Sequence, residues 1–174
     1  ADMKEWDSLI GDFTRHLISR YTLEEVKQWP FTVWNEPVTS KKMFGFGDDA
    51  LFFRFYKHTY DTVKRLCPEI QFGSPSMLYI ENLGNADWIY RFIGWCREQS
   101  CMPDFMNIHY YADIILPTSS DDFFLTKATA SCFPKATDDF SLFIGGIKKI
   151  FKTLGVQDKP VYMTEWNFTM SHRN

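Results

Sequence analysis

Excess charge of either sign is lacking. Nineteen Lys and Arg against 22 Asp and Glu leave a formal net charge of −3, so no electrostatic argument points to nucleic acid as a partner. No apolar run approaches the roughly 20 residues of a membrane span. The first residues, Ala1-Asp2-Met3-Lys4-Glu5-Trp6, lack the apolar stretch of a secretory signal. The expectation is a cytoplasmic protein with no membrane contact. Cysteine and histidine are sparse as well. Cys67, Cys96, Cys101 and Cys132 form no CxxC pair, and the four histidines make neither HExxH nor a zinc-type spacing. The thiols read as buried and free in a reducing compartment, with no metal site and no cofactor expected.

Aromatics, in contrast, are abundant: 17 Phe, 6 Trp and 8 Tyr make up 18% of the chain. Disordered chains are poor in such residues, so the sequence describes a packed core with some rings to spare for a ligand. Helical and extended patterns alternate along the chain. Trp6, Leu9, Ile10, Phe13, Leu17 and Ile18 form a helical stripe over 4–20. Phe31-Thr32-Val33-Trp34-Asn35 is extended. A helix over 48–67 starts at Asp48-Asp49 and is ended by Pro68. Ile70-Gln71-Phe72-Gly73 reads as a strand, 86–99 as a helix, and Phe105 to Tyr111 as a strand. Residues 112–136 are long and irregular, the kind of loop that is usually functional or disordered. A helix over 138–154 closes at Gly155, and Pro160 to Trp166 is the last strand. Strands alternating with helices predict an α/β architecture with parallel pairing. Right-handed crossovers then gather the C-terminal strand ends on one face, where α/β proteins bind ligands.

Two carboxylates stand at such ends: Glu36, in Trp34-Asn35-Glu36-Pro37, and Glu165, in Thr164-Glu165-Trp166-Asn167. Glycoside hydrolysis needs this combination, one carboxyl protonated to serve the leaving oxygen and one ionised to attack carbon or activate water. Trp34 and Trp166 are candidates for the apolar surroundings that tune such a pair, and Asn35 can donate to a sugar hydroxyl. A lone Glu at a strand end is more often a salt-bridge partner or a solvated loop residue. Two on one face, each beside a Trp and an Asn, strengthen the catalytic reading. By itself His109 reads more readily as a core histidine than as a site residue, and Trp166 reads equally as sugar platform or as packing.

Four segments carry a family resemblance in order. Trp29-Pro30-Phe31-Thr32-Val33-Trp34-Asn35-Glu36-Pro37 resembles the acid/base signature after the fourth strand of retaining (β/α)₈ glycosidases. Phe72-Gly73-Ser74-Pro75 resembles the fifth strand, and Asp104 to Tyr111 the sixth with its His-x-Tyr. Pro160 to Asn167 resembles the nucleophile strand, the seventh, of glycoside hydrolase family 39, which contains β-xylosidases and α-L-iduronidases. Two departures are visible. Val38 follows Asn-Glu-Pro where many members carry Asn, and Gly73-Ser74-Pro75 replaces Gly-Gly-Pro. The tail Thr164 to Asn174 resembles a bacterial branch in which this domain follows an AraC-type regulator.

The resemblance implies a partial (β/α)₈ TIM barrel, strands four to seven with their helices, with residues 1–174 a fragment of one catalytic domain. Strands one to three and eight are expected outside the chain, since roughly 250 residues is usual for a whole barrel. It implies Glu36 as general acid/base and Glu165 as nucleophile. It also implies Asn35, His109, Tyr111 and Trp166 as substrate-binding residues. The activity implied is that of a retaining, β-xylosidase-like hydrolase of small xylosides or related oligosaccharides, of use in bacterial xylan degradation. The alternative is a non-catalytic sugar-sensing domain of a transcriptional regulator. The isolated fragment is expected to be inactive and to dimerise through its exposed strands.

Overall fold

The computed structural model describes residues 2–37, 48–78, 85–111 and 136–167. The long segment 112–135, Val38, Cys132 and the tail beyond 167 lie outside the described residues. Five helices and five short strands appear there: α1 (Met3–Tyr21), α2 (Leu23–Val26), β1 (Pro30–Phe31), α3 (Asp49–Leu66), β2 (Gln71–Phe72), β3 (Met77–Leu78), α4 (Asn85–Glu98), β4 (Met106–Tyr111), α5 (Ala136–Leu154) and β5 (Val161–Asn167). The expected order of helices and strands is present. The one-turn helix α2 and the separate β3 are additions to it.

All strand pairs are parallel. Residues 71–78 are one extended segment that pairs with β1 at its start and with β4 at its end. Further bonds join the segments between these ladders. Gly73 donates its N–H to the Phe31 carbonyl at 2.7 Å, Ser74 to Phe105 at 3.0 Å, and Glu36 to Ser76 at 2.9 Å. The wall therefore runs in chain order, 30–36 beside 71–78 beside 105–111 beside 161–167. Each helix packs on the next, α1 on α3, α3 on α4 and α4 on α5, which places them in one layer. Strands and helices that both advance in chain order are the winding of a (β/α)₈ barrel wall.

Local chemistry explains the helix ends. Asp2 caps α1 by accepting from Lys4 N–H at 2.8 Å, and Asp48 caps α3 from Ala50 N–H at 2.8 Å. After α3, the Lys64 ammonium donates to the Ile70 carbonyl and to Asp104 Oδ2, each at 2.6 Å. The same Asp104 oxygen accepts from Phe72 N–H at 2.8 Å. One lysine thus ties the end of α3 to the start of two strands. Gly155 closes α5 with φ of 67°. Arg97 of α4 donates to the Leu154 carbonyl at 2.6 Å, satisfying a helix-end acceptor.

The aromatic excess goes mainly into the layer between helices and wall. Phe52, Tyr56, Phe72, Trp88 and Phe92 are all fully buried there, and Trp88 stacks on Phe92 at 5.1 Å. Trp6 of α1 packs on Phe55 at 4.7 Å and donates to Thr59 Oγ1 at 2.9 Å. Cys67, Cys96 and Cys101 are buried free thiols, as the spacing implied, and burial pushes the Cys96 thiol well above its ordinary range. None of the described helices is long and apolar enough to cross a membrane.

On the inner side of the wall space is tight at Gly73. A Cβ there would lie 2.1 Å from Phe105 Cε2. We predict that Gly73→Ala costs about 1–3 kcal/mol, read by chemical denaturation. Gly73→Ala combined with Phe105→Leu should lose less than the two single changes summed, because the smaller side chain yields the space; strict additivity would show that the contact is not the cause.

Candidate active site

The segment after β1 departs from the regular strand expected over 31–35. Trp34 (φ 70°) and Glu36 (φ 42°) both sit in the left-handed region, a conformation that costs a non-glycine residue on the order of 1–3 kcal/mol and that recurs at functional sites. Between them Asn35 is half-buried, and its backbone bridges to Ser76. The kink turns Trp34 outward onto Phe55 of α3 at 5.7 Å and leaves Glu36 only 7% exposed.

On β4 the side chains alternate. Tyr110 packs on Phe140 and Phe143 of α5, while Asn107 and His109, each 1% exposed, take the other face. His109 Nδ1 lies 2.8 Å from Glu36 Oε1 and 3.5 Å from Glu165 Oε2. One oxygen of Glu36, one of Glu165 and a ring nitrogen of His109 all fall within 4.8 Å of one another. The structure thus brings together three of the residues singled out in the sequence.

A register shift makes this possible. Ile108 pairs with Met163, but His109 pairs with Glu165, so Thr164 is an extra residue in β5. Such bulges are rare in parallel pairs and re-aim side chains. Here Thr164 and Glu165, consecutive in sequence, both reach His109: Thr164 Oγ1 is 3.1 Å from Nε2, with Glu165 near Nδ1. Trp166, in register with Tyr110, falls on the side that Tyr110 turns to α5 and is 70% exposed. The structure does not bring Trp166 to the carboxylates. Tyr111 ends β4 opposite Asn167, and its side chain lies outside the described residues.

Four polar residues without an assigned role complete the site. Asn107 donates from Nδ2 to Ser76 Oγ at 2.9 Å and accepts from Thr164 Oγ1 at 2.6 Å. Its backbone N–H donates to Ser74 Oγ at 2.9 Å. A sequence signal for Asn107 existed: it stands two residues before His109, hence on the same face of a strand whose other face is apolar.

Glu36, His109 and Glu165 are also the one described group able to offer three donors to a cation. Ligands around a zinc ion at 2.0–2.2 Å lie only about 3.4 Å apart. The trio is uneven, with one pair of donor atoms 2.8 Å apart and another 3.5 Å, and its imidazole is already engaged on both nitrogens. The arrangement suits proton exchange between Glu36 and His109 beside a second carboxylate better than metal binding.

A family model described as glycosyl hydrolases family 39 matches residues 1–174. A β-xylosidase of Caldicellulosiruptor saccharolyticus is 31% identical over 172 residues, covering 98% of this chain and 32% of that protein. A β-xylosidase of Geobacillus stearothermophilus is 27% identical over 176 residues, covering 99% and 32%. Among solved structures, the family 39 enzyme from Xanthomonas axonopodis pv. citri superposes with a TM-score of 0.73 at 25% identity, over 100% of this chain and 32% of that one. A family 39 β-xylosidase from Caulobacter crescentus gives 0.70 at 23%, again over 100% and 32%, a likeness of fold. The chain spans about a third of the length of the curated relatives it matches.

The buried amide of Asn107 serves two hydroxyls at once. Asn107→Leu, close in shape, should destabilise the protein by about 1–3 kcal/mol through the partners left unpaired. Urea denaturation checks this, and an unchanged midpoint would show that the amide is not needed for stability.

Proposed function

The chain belongs to glycosyl hydrolase family 39, and on that premise we propose that the protein carrying it is a retaining, β-xylosidase-like glycosidase acting on small xylosides or related oligosaccharides. The observation that carries this reading is the approach of the Glu36 and Glu165 carboxylates, with one oxygen from each within 4.8 Å. Retaining enzymes hold their two carboxyls about 5–5.5 Å apart, and inverting ones about 6.5–9.5 Å apart to admit a water. The β-xylosidases among the relatives support the sugar class.

In this mechanism Glu165, at the end of β5 and partly open to solvent, attacks the anomeric carbon. The bond from that carbon to the leaving oxygen breaks, and the oxygen takes its electron pair together with a proton from Glu36. Water then gives a proton to the Glu36 carboxylate and attacks the same carbon, and Glu165 leaves with its electrons. Burial of Glu36 beside His109 keeps the proton donor out of bulk water. Asn35, next to Glu36, is assigned to a sugar hydroxyl near the reacting bond. The sugar-sensing alternative finds no support in the comparisons.

In the full-length protein, Glu36→Gln and Glu165→Gln should each lower the rate on an aryl β-xyloside by about 10²–10⁴-fold or more. Proton NMR of the sugar first released should show the anomer of the substrate. Undiminished rates in both variants, or release of the opposite anomer, would refute this reading.

A further inference from the structure

His109 is joined on both sides. Its Nδ1 faces Glu36 Oε1 at 2.8 Å, and its Nε2 faces Thr164 Oγ1 at 3.1 Å. Which nitrogen carries a proton follows from what lies beyond Thr164. A threonine hydroxyl has one proton to give. Here it goes to Asn107 Oδ1 at 2.6 Å, the shortest link in the chain. Asn107 in turn offers its NH₂ to Ser76 Oγ at 2.9 Å. With that proton given to Asn107, Thr164 Oγ1 is left to accept, and a proton on His109 Nε2 completes the bond.

The consequence falls on the other nitrogen. With a proton held on Nε2, the 2.8 Å contact between Nδ1 and Oε1 needs a second proton between them. It belongs to the pair, as Glu36–O–H donating to Nδ1 or as Nδ1–H donating to the Glu36 carboxylate. Were Nε2 bare, the ring's single proton would sit on Nδ1, and Glu36 would be a plain carboxylate with nothing to deliver. Resting on the glycosidase reading above, we propose that Thr164 and Asn107 are positioning residues that hold a proton on His109 Nε2, so that the His109–Glu36 pair carries the proton delivered to the leaving oxygen. The step balances: that one proton passes to the leaving oxygen as the glycosidic bond breaks, and the later attack by water returns one to the pair.

The circuit is also closed structurally. Glu36 N–H donates to the carbonyl of Ser76 at 2.9 Å, the residue whose hydroxyl ends the side-chain chain. Its members come from four neighbouring strand segments. Asn107 and His109 are 1% exposed and Ser76 7%, so water is a poor substitute for the partners of these three, while Thr164 itself is exposed.

The test uses the full-length protein and two β-xylosides that differ in leaving group. Dinitrophenolate departs without a proton, whereas a phenol needs one. Thr164→Val keeps the side-chain shape and removes the hydroxyl. It should lower kcat/KM on the phenyl xyloside by about 100-fold, with little change on the dinitrophenyl xyloside, and Thr164→Ser should restore the phenyl activity. Equal losses on both substrates would mean a merely structural role and overturn the proposal. Independently, ¹⁵N NMR of the His109 imidazole, assigned with His109→Gln, should show a protonated Nε2 in the wild-type protein. A bare Nε2 would overturn the proposal whatever the enzyme cleaves. If the wild-type protein cleaves neither xyloside, the assigned function falls, and the nitrogen spectrum still decides the proton's place.

Discussion

The contact between His109 and Glu36 joins strand segments that no ladder hydrogen bond connects. The segment 71–78 lies between them, so the imidazole must reach over an intervening strand. Small side chains on that strand allow it, since Ser74 and Ser76 stand where larger residues would fill the space, while the space at Gly73 is taken by Phe105. Ser74 and Ser76 also supply hydroxyls to the Asn107 backbone and amide. An unpaired carboxylate or imidazolium in so dry a place would cost several kcal/mol, so Glu36, His109 and their supports stand or fall as a set.

The remainder of the fold serves to hold four strand ends in register. The aromatic layer of α3 and α4 presses on the outer face of the wall, and Lys64 and Asp104 lock the lower ends of two strands together. Rigid lower ends allow irregular upper ends. The two left-handed residues around Asn35 and the bulge at Thr164 are both at the C-terminal side of the wall, where departures from regular strand geometry aim side chains at one point. Strain there is sustained by burial elsewhere.

Much of this was legible in the chain itself. The stripes of α1, α3, α4 and α5 and the apolar runs of β4 and β5 follow from periodicity, and the end of α5 from Gly155. The alternation of elements sufficed to predict a parallel wall with Glu36, His109 and Glu165 at one end. The segment 31–35 was less legible. Its apolar composition reads as one strand, yet the backbone turns at Trp34 and Glu36, because pairing to Ser76 and the aim of the carboxylate outweigh the local β-propensity of Val33 and Trp34. Trp166 shows the limit from the other direction: a tryptophan beside a catalytic glutamate invites a role in sugar stacking, but strand alternation carries it to the opposite face.

What the sequence determined by itself is therefore the kind and order of elements, the chemistry placed at their ends, and the family that shares them. Only the tertiary structure decided which neighbours share a face. A period of two assigns Thr164 and Glu165 to opposite sides of β5; the extra residue in the β4–β5 register brings both to His109. That register is a property of two strands paired across fifty intervening residues or more, so no local pattern in either strand contains it.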